Sequence, residues 1–283
     1  HRPGARIHHH HRARHRLGGS IGQLCSVEVV DGLGGHLLHV GARQVLLDCG
    51  MIQGGRDERT RNAAKFAFDL RRLDFILLTH AHLDHSGLLP RAAALGFRGP
   101  VHVTAATADL LGVMLLDSAH IQEKEAEWEA KRAHNGRGRG QSHPILYTVA
   151  QAQACLRQLR REEYDQPFLP HPAVRVCLRD AGHILGSAIA EVWLEEGGAT
   201  RKLVFSGDIG MPARPVLNDP QPVEQADVLL VESTYGNRLH KTFEQSEAEL
   251  VRAIDETLGG KARGGHGNLI VPGIPIPTTV PDG

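Results

Sequence analysis

Short apolar runs rich in β-branched residues recur from about Leu37 onward, and they constrain the fold more than any other feature of the chain. Runs this short have the length of buried β-strands rather than of helices. They are Gln44–Leu47, Phe75–Leu78, Val101–Val103, Val174–Leu178, Ile189–Leu194, Leu203–Phe205 and Val228–Val231. Helical patterns alternate with some of them, at Gly87–Leu95, Ala105–Ala130, Val149–Leu159 and Gln245–Leu258. This mixture, without an internal repeat, predicts a layered domain of the α/β or α+β class.

The two ends of the chain lack this pattern. We expect residues 1–36 to be an irregular segment rich in histidine and arginine, and its run His8–His11 is typical of a disordered tail, although it could also bind metal. The prolines between Pro272 and Pro277 fit neither a helix nor a central strand, and they suggest a fragment. The chain has 283 residues, enough for one large domain or two modest ones. We expect a main domain over residues 37–236 and the truncated beginning of a second over 237–283.

Charge and cysteine content narrow the class of protein. Lys and Arg together number 32, as do Asp and Glu, so the formal net charge is zero. The chain therefore lacks the overall charge of a protein that coats nucleic acid, and a nucleic-acid role must rest on a local site. Cysteines 25, 49, 155 and 177 lie far apart and indicate reduced thiols in a cytoplasmic protein. No apolar run reaches the length of a membrane span.

Several of the predicted strands end in the same way, with an apolar run followed by a polar residue beside glycine or histidine. Because ligands gather where strand ends meet loops in layered α/β proteins, we expect these residues to converge on one crevice. The polar residues at or just after these ends are Asp48, His80, His183, Asp208 and Glu232.

The segment His80-Ala81-His82-Leu83-Asp84-His85 is the strongest metal-binding pattern in the sequence. Residues i and i+2 of an extended segment project to the same side, so His80 and His82 can bind one metal ion together. A turn into a helix after them lets Asp84 and His85 face a second ion beside the first. Mixed imidazole and carboxylate donors suit zinc, with manganese and iron as alternatives.

Three further residues are candidates for the same site, although each has an ordinary structural interpretation when it is taken alone. His183 would be a third donor to the first ion, and Asp208 would be a carboxylate that bridges both ions. However, a histidine beside glycine is common in turns, and an aspartate before Ile-Gly often caps one. Asp48 would orient an imidazole that binds metal. Alternatively, it would simply be a turn residue at the end of its strand.

These motifs resemble those of the metallo-β-lactamase superfamily. The resemblance lies in Thr79–Gly87, Asp180–Ser187 and Phe205–Gly210. The segment Val231–Gly236 is similar to a motif of the β-CASP nucleases, the RNA-processing branch, and Asp117–Glu123 and Pro144–Thr148 resemble its bacterial members. The resemblance covers roughly residues 37–272.

The resemblance implies a four-layered αβ/βα sandwich, the start of a β-CASP domain after it, and two zinc ions. By the family pattern His80, His82 and His183 hold one ion, Asp84 and His85 hold the other, and Asp208 bridges them. Glu232 matches the acid that opens the β-CASP region and supports the catalytic machinery. The expected catalytic residues are therefore Asp84, Asp208 and Glu232.

Two features depart from the family pattern. The segment Gly18–Gly35 does not resemble the family's first strand and its glycine-rich turn. The family's later histidines, one of which completes the shell of the second ion, lie beyond the last residue of this chain. We therefore expect this chain to be incomplete as an enzyme.

The expected reaction is hydrolysis of RNA phosphodiester bonds through a zinc-activated hydroxide, with Asp84 able to hold its proton. Single-stranded RNA is the expected partner, no membrane contact is expected, and a homodimer is left open, as is the choice between RNA and DNA. The alternatives are a small-molecule metallohydrolase acting on thioesters or lactones, an inactive fragment, and a scaffold protein. The basic, glycine-rich segment 131–143 is either a surface connection or a flap that contacts phosphate.

Overall fold

The computed structural model describes residues 25–30, 33–134, 145–196, 198–234, 236–237 and 241–258. Several features singled out in the sequence lie outside these residues: the run His8–His11, most of the basic segment 131–143, Tyr235 and the prolines after Pro272. The described chain divides between Ser233 and Thr234 into two compact units. The predicted boundary at residues 236 and 237, and the assignment of the second unit to a β-CASP domain, stay predictions.

The first sheet has six strands: β1 Cys25–Val29, β2 Gly34–Val40, β3 Arg43–Gly50, β4 Phe75–Leu77, β5 Val101–Thr104 and β6 Leu159–Glu162. They lie side by side in chain order. β1, β2 and β3 pair antiparallel, whereas β3 through β6 pair parallel. All residues of β4 and β5 are buried, as expected of parallel strands covered on both faces.

Helices connect the parallel strands. α1 spans Glu58–Ala63, and a short 3-10 turn follows at Leu70–Arg72; α2 spans Leu83–Ser86, α3 Leu89–Ala94, α4 Ala105–His134 and α5 Val149–Leu156. Thr148 begins α5 with a capping box, in which its hydroxyl accepts from the Gln151 amide and the Gln151 side chain accepts from the Thr148 amide. Every helix among the described residues is too short or too polar to cross a lipid bilayer.

The second sheet has five strands: β7 Phe168–His171, β8 Val174–Asp180, β9 Ala188–Glu196, β10 Ala199–Phe205 and β11 Val228–Leu230. Their order is β11-β10-β9-β8-β7. All neighbours are antiparallel except β10 and β11, which are parallel. α6, Phe243–Leu258, lies in the second unit, where Thr242 caps it by exchanging hydrogen bonds with Gln245.

Side chains along the strands of the first sheet point alternately to its two faces, so each face contributes to a separate hydrophobic core. Leu46 and Ile76 face the helices and pack with residues of α3, α4 and α5. Their neighbours Leu47 and Leu77 project to the opposite face and pack with the second sheet. The result is two sheets packed face to face with helices against the outside of the first, so the predicted layered α/β class is confirmed.

The structure differs from the sequence-based expectation in places. The segment 1–36 is not irregular throughout, because β1 and the start of β2 lie within it. The helix predicted over Gly87–Leu95 is shorter, Leu89–Ala94, and the helix predicted to reach Leu159 ends at Leu156, because Leu159 already belongs to β6. Neither β6 nor β7 was predicted. β6 reads Leu-Arg-Arg-Glu and has no alternation of apolar and polar residues. It is a strand because it pairs in parallel with β5.

Candidate metal centre

The strand ends of both sheets carry the candidate site residues to one place. Asp48 lies near the end of β3, and Thr79 and His80 follow β4 in the first sheet. In the second sheet His183 follows β8 and Asp208 follows β10. A backbone hydrogen bond from the Ala188 amide to the Thr79 carbonyl (2.9 Å) joins the two sheets directly beside the site.

Four side chains converge closely enough to hold one metal ion. One ligand atom from each of His80, His82, His183 and Asp208 lies within 4.8 Å of the others. His82 Nδ1 is 3.1 Å from His80 Nε2 and 3.2 Å from His183 Nε2. Two nitrogens bound to one tetrahedral zinc ion, at the usual bond length, lie about 3.3 Å apart. The spacing and the donor types therefore fit a metal ion of this kind.

Asp208 faces a second group of donors as well. Its Oδ2 lies 3.8 Å from His80 Nε2 and 3.6 Å from His183 Nε2, whereas its Oδ1 lies 3.3 Å from His85 Nε2. Asp84 Oδ2 is 3.8 Å from the same His85 nitrogen, and about half of the Asp84 side chain is exposed. Both residues lie in α2, which begins directly after His82. His80, His82, His183 and His85 thus lie around the Asp208 carboxylate, and Asp84 lies beside His85.

The protonation of these groups follows from burial and from their close spacing. Burial, together with the charge of His85, lowers the pKa of His80 to about 2, so this imidazole is neutral and has a lone pair for a metal. Burial alone would lower the pKa of His85, but its hydrogen bonds with Asp208 and Asp48 outweigh burial and raise it to about 11. Burial opposes ionisation of Asp208 too, yet the hydrogen bond with His85 lowers its pKa to about 2.

Asp48 is held in an unusual position and contacts the donors. It is 1% exposed and has a φ of 60°, in the left-handed region that non-glycine residues rarely adopt. Its Oδ2 lies 2.7 Å from His85 Nδ1, and its Oδ1 accepts the Thr79 amide at 2.7 Å. These are the contacts expected of a residue that orients a ligating imidazole.

The loop that carries His183 is fixed by hydroxyl groups. Ser187, which is fully buried, accepts the amides of His183 (3.0 Å) and Ile184 (3.2 Å) at its Oγ. The hydroxyls of Thr104 and Thr107 both donate to the Gly186 carbonyl, at 2.6 and 2.9 Å. The position of His183 is therefore tied to the start of α4.

Glu232 contacts the backbone beside Asp208 rather than a donor. Its carboxylate accepts the Ile209 amide at 2.7 Å, and its own amide donates to Ser206 Oγ at 3.1 Å. These two hydrogen bonds attach the segment Ser206–Ile209 to the chain just after β11. The geometry suits a residue that supports Asp208.

Two polar residues at the site were not singled out in the sequence. Thr79 and Ser187 both occur inside the motifs that carry the family resemblance, but a threonine or serine at a strand end has no distinctive pattern of its own. Their roles appear only when the donors are assembled, because each contacts residues from other elements.

The chain is similar to a known family and to several known proteins. Residues 43–262 match the family described as "Beta-lactamase superfamily domain". Ribonuclease TTHA0252 of Thermus thermophilus is 37% identical over 228 residues, which are 80% of this chain and 47% of the relative. Transcription termination factor FttA of Methanothermobacter thermautotrophicus is 33% identical over 227 residues, 77% of this chain and 32% of that protein.

A second FttA, from Methanocaldococcus jannaschii, is 32% identical over 224 residues. The chain therefore spans about half the length of the Thermus relative and about a third of the archaeal ones. The match over residues 43–262 covers more than half of the chain and shows that this protein belongs to the β-lactamase superfamily, as its resemblance to the metallo-β-lactamases and their RNA-processing branch predicted.

Proposed function

We propose that the protein acts as a metal-dependent nuclease that hydrolyses RNA phosphodiester bonds. The site supplies three imidazoles and a carboxylate within 4.8 Å of one another. Relatives that are identical to this chain at about a third of the aligned positions are named as a ribonuclease and as transcription termination factors. Both names concern RNA or its synthesis, so RNA is the substrate class that we propose.

The arrangement of Asp208 carries the proposal that two zinc ions are bound. Its two oxygens face different donors, Oδ2 towards His80 and His183 and Oδ1 towards His85. We assign His80, His82 and His183 to one ion and Asp84 and His85 to the other, with Asp208 between them. Such a pair, when bound, supplies Lewis acidity that lowers the pKa of water and neutralises charge on phosphoryl oxygens.

The remaining residues have supporting roles in this proposal. The Asp84 carboxylate is half exposed beside the donors, and we assign it the role of accepting a proton from an attacking water. Glu232 keeps Asp208 in position through the Ile209 amide. Asp48 fixes the ring of His85 so that its Nε2 faces Asp208.

The finer assignments are proposals of the same kind. Single-stranded RNA fits best, because a flexible strand can bring one phosphate down to donors such as His183 and Asp208, whose side chains are each only 27% exposed. We propose a cytoplasmic location, since three described cysteines are free and buried. We leave a homodimer open, and a measurement of molecular mass in solution would detect it.

The test is cleavage of a labelled single-stranded RNA by the zinc-loaded full-length protein and by its Asp208→Ala variant. We expect the substitution to abolish cleavage and to reduce bound zinc, because it removes the carboxylate shared by both donor groups. Asp109→Asn is a matched control, since Asp109 is exposed on α4 and its ion-pair partner is Arg161 rather than one of the donors. Unchanged cleavage in Asp208→Ala with zinc still bound would contradict the proposal, and so would a zinc-loaded protein that hydrolyses a thioester or lactone but no RNA.

A further inference from the structure

Thr79 joins the two donor groups through a set of contacts that the proposed function does not use. It is 1% exposed and directly precedes His80. Its hydroxyl lies 2.8 Å from Asp48 Oδ2 and 3.0 Å from His80 Nδ1. The hydroxyl therefore stands between a buried carboxylate and a predicted metal ligand.

The direction of these hydrogen bonds follows from the chemistry of the groups. An ionised carboxylate can only accept, so the single hydroxyl proton of Thr79 is donated to Asp48. The Thr79 oxygen then has only lone pairs left for His80, and Nδ1 of His80 must carry the proton. A neutral imidazole protonated at Nδ1 has its lone pair at Nε2. His80 Nε2 is the atom that lies 3.1 Å from His82 Nδ1, inside the donor group.

The same carboxylate oxygen also holds the second donor group. Asp48 Oδ2 accepts from His85 Nδ1 at 2.7 Å, and this leaves His85 Nε2 directed at Asp208 Oδ1, 3.3 Å away. One carboxylate thus orients two imidazoles, His85 directly and His80 through the hydroxyl of Thr79. The orientation of donors proposed for both metal ions therefore depends on the single buried carboxylate of Asp48.

Packing keeps the Thr79 hydroxyl in place. A methyl group at Gly207 would come within 2.9 Å of three side-chain atoms of Thr79, so the backbone before Asp208 lies directly against this side chain. The Thr79 amide also donates to Asp48 Oδ1, which fixes the carboxylate plane. The hydroxyl has little freedom to turn elsewhere.

We propose that Thr79 is a positioning residue, which relays the orientation imposed by Asp48 to His80 and so presents Nε2 of His80 to the metal. This inference rests on the proposed assignment of His80 as a metal ligand. Loss of such an outer partner typically weakens metal binding by about 10-fold to 100-fold.

The experiment compares the wild-type chain with Thr79→Val and Thr79→Ser. Valine keeps the shape of threonine without the hydroxyl, and serine keeps the hydroxyl. Zinc affinity is measured by competition with a chelator; the N-terminal histidines are common to all variants, so differences report on the site. We expect zinc binding about 10-fold to 100-fold weaker in Thr79→Val and within about 3-fold of wild type in Thr79→Ser.

A second readout is the position of the imidazole proton, which long-range proton–nitrogen NMR reports in the metal-free protein. We expect His80 to be protonated at Nδ1 in the wild type and in Thr79→Ser, and to lose this preference in Thr79→Val. Tyr147→Phe is the matched control, because it removes a buried hydroxyl that donates to Ser118 at 3.0 Å, on α4. It should leave both readouts unchanged.

Three results would overturn the inference: wild-type zinc affinity in Thr79→Val, zinc affinity in Thr79→Ser that is about 10-fold or more below that of the wild type, or a His80 proton on Nε2 in the wild type. The last two remain informative if Thr79→Val fails to fold. If the wild type binds zinc and cleaves RNA while these expectations fail, only the role of Thr79 is wrong. If the wild type binds no zinc at the site, the proposed function itself fails.

Discussion

The contact between Gly50 and the metal-binding segment gives the sharpest stability prediction. A methyl group added at Gly50 would lie 1.5 Å from the Asp84 carbonyl oxygen, 2.0 Å from its carbon and 2.6 Å from the His85 nitrogen. Side-chain carbons do not approach backbone atoms closer than 3.0 Å. In Gly50→Ala, either the end of β3 or the start of α2 must therefore move by more than an ångström.

The cost of this movement can be estimated from what holds the segment. Overpacking in a dense region costs about 1–3 kcal/mol, and a clash with backbone atoms should cost close to the upper value. The Met51 amide bonds to the Leu83 carbonyl (2.8 Å) and the Leu88 amide to the Cys49 carbonyl (2.9 Å), so a shift strains both. With about 1 kcal/mol for such a bond, we expect Gly50→Ala to lower the free energy of unfolding by about 3–5 kcal/mol.

Urea unfolding followed by circular dichroism measures this loss, which lowers the midpoint by about 1–2 M at a typical m-value. Gly112→Ala is the matched control, because Gly112 lies within α4 and a methyl group there meets nothing within 4 Å. It should raise stability by about 0.5–1 kcal/mol, since alanine is the better helix former. If Gly50→Ala lies within about 0.5 kcal/mol of wild type, the packing argument is refuted.

Two further predictions concern stability. Glu191 is buried and pairs with Lys202 and Arg179; burial opposes its ionisation, but these partners outweigh burial and hold its pKa below the ordinary range. The folded state then binds this proton more weakly than the unfolded state does, so the contribution of Glu191 is complete above about pH 4.3 and declines as the pH falls through the lowered pKa. Glu191→Gln should be less stable at pH 7 by about 2 kcal/mol and should lose less stability between pH 5 and 3 in acid titrations; equal acid sensitivity of both proteins would contradict this. Ser187→Ala leaves the amides of His183 and Ile184 without their acceptor and should cost about 2 kcal/mol in urea unfolding, with weaker zinc binding; wild-type values for both would show that the hydroxyl does not hold the loop.

Most of the strands that position the site could be predicted from local sequence. The apolar runs before Thr79 and Asp208 coincide with β4 and with the buried last three residues of β10, because buried strands require such residues. β1 and β6 could not be predicted in this way. β6 has two arginines in four residues, and it is a strand only because β5 offers it a partner 58 residues earlier in the chain.

The candidate site likewise combines features that local sequence predicts with features that it does not. The spacing of His80 and His82 predicts that their rings share one side, and the two rings do lie together. The approach of His183, 101 residues from His82, follows from the pairing of strands in two sheets and from the bond between Ala188 and Thr79. No local pattern encodes that approach. Only the general expectation that strand ends converge and the resemblance to known proteins indicated it. The assignment of the donors to particular ions stays a prediction.

The central claim is that one metal ion lies between donors from both sheets, and anomalous X-ray scattering from zinc-soaked crystals tests it most directly. This measurement locates the metal, so zinc on the histidines near the N-terminus cannot be mistaken for zinc at the site. We expect a strong peak at about 2.0–2.2 Å from His80 Nε2, His82 Nδ1, His183 Nε2 and Asp208 Oδ2. Zinc peaks only elsewhere on the protein, with these four atoms free of metal at saturating zinc, would contradict the account.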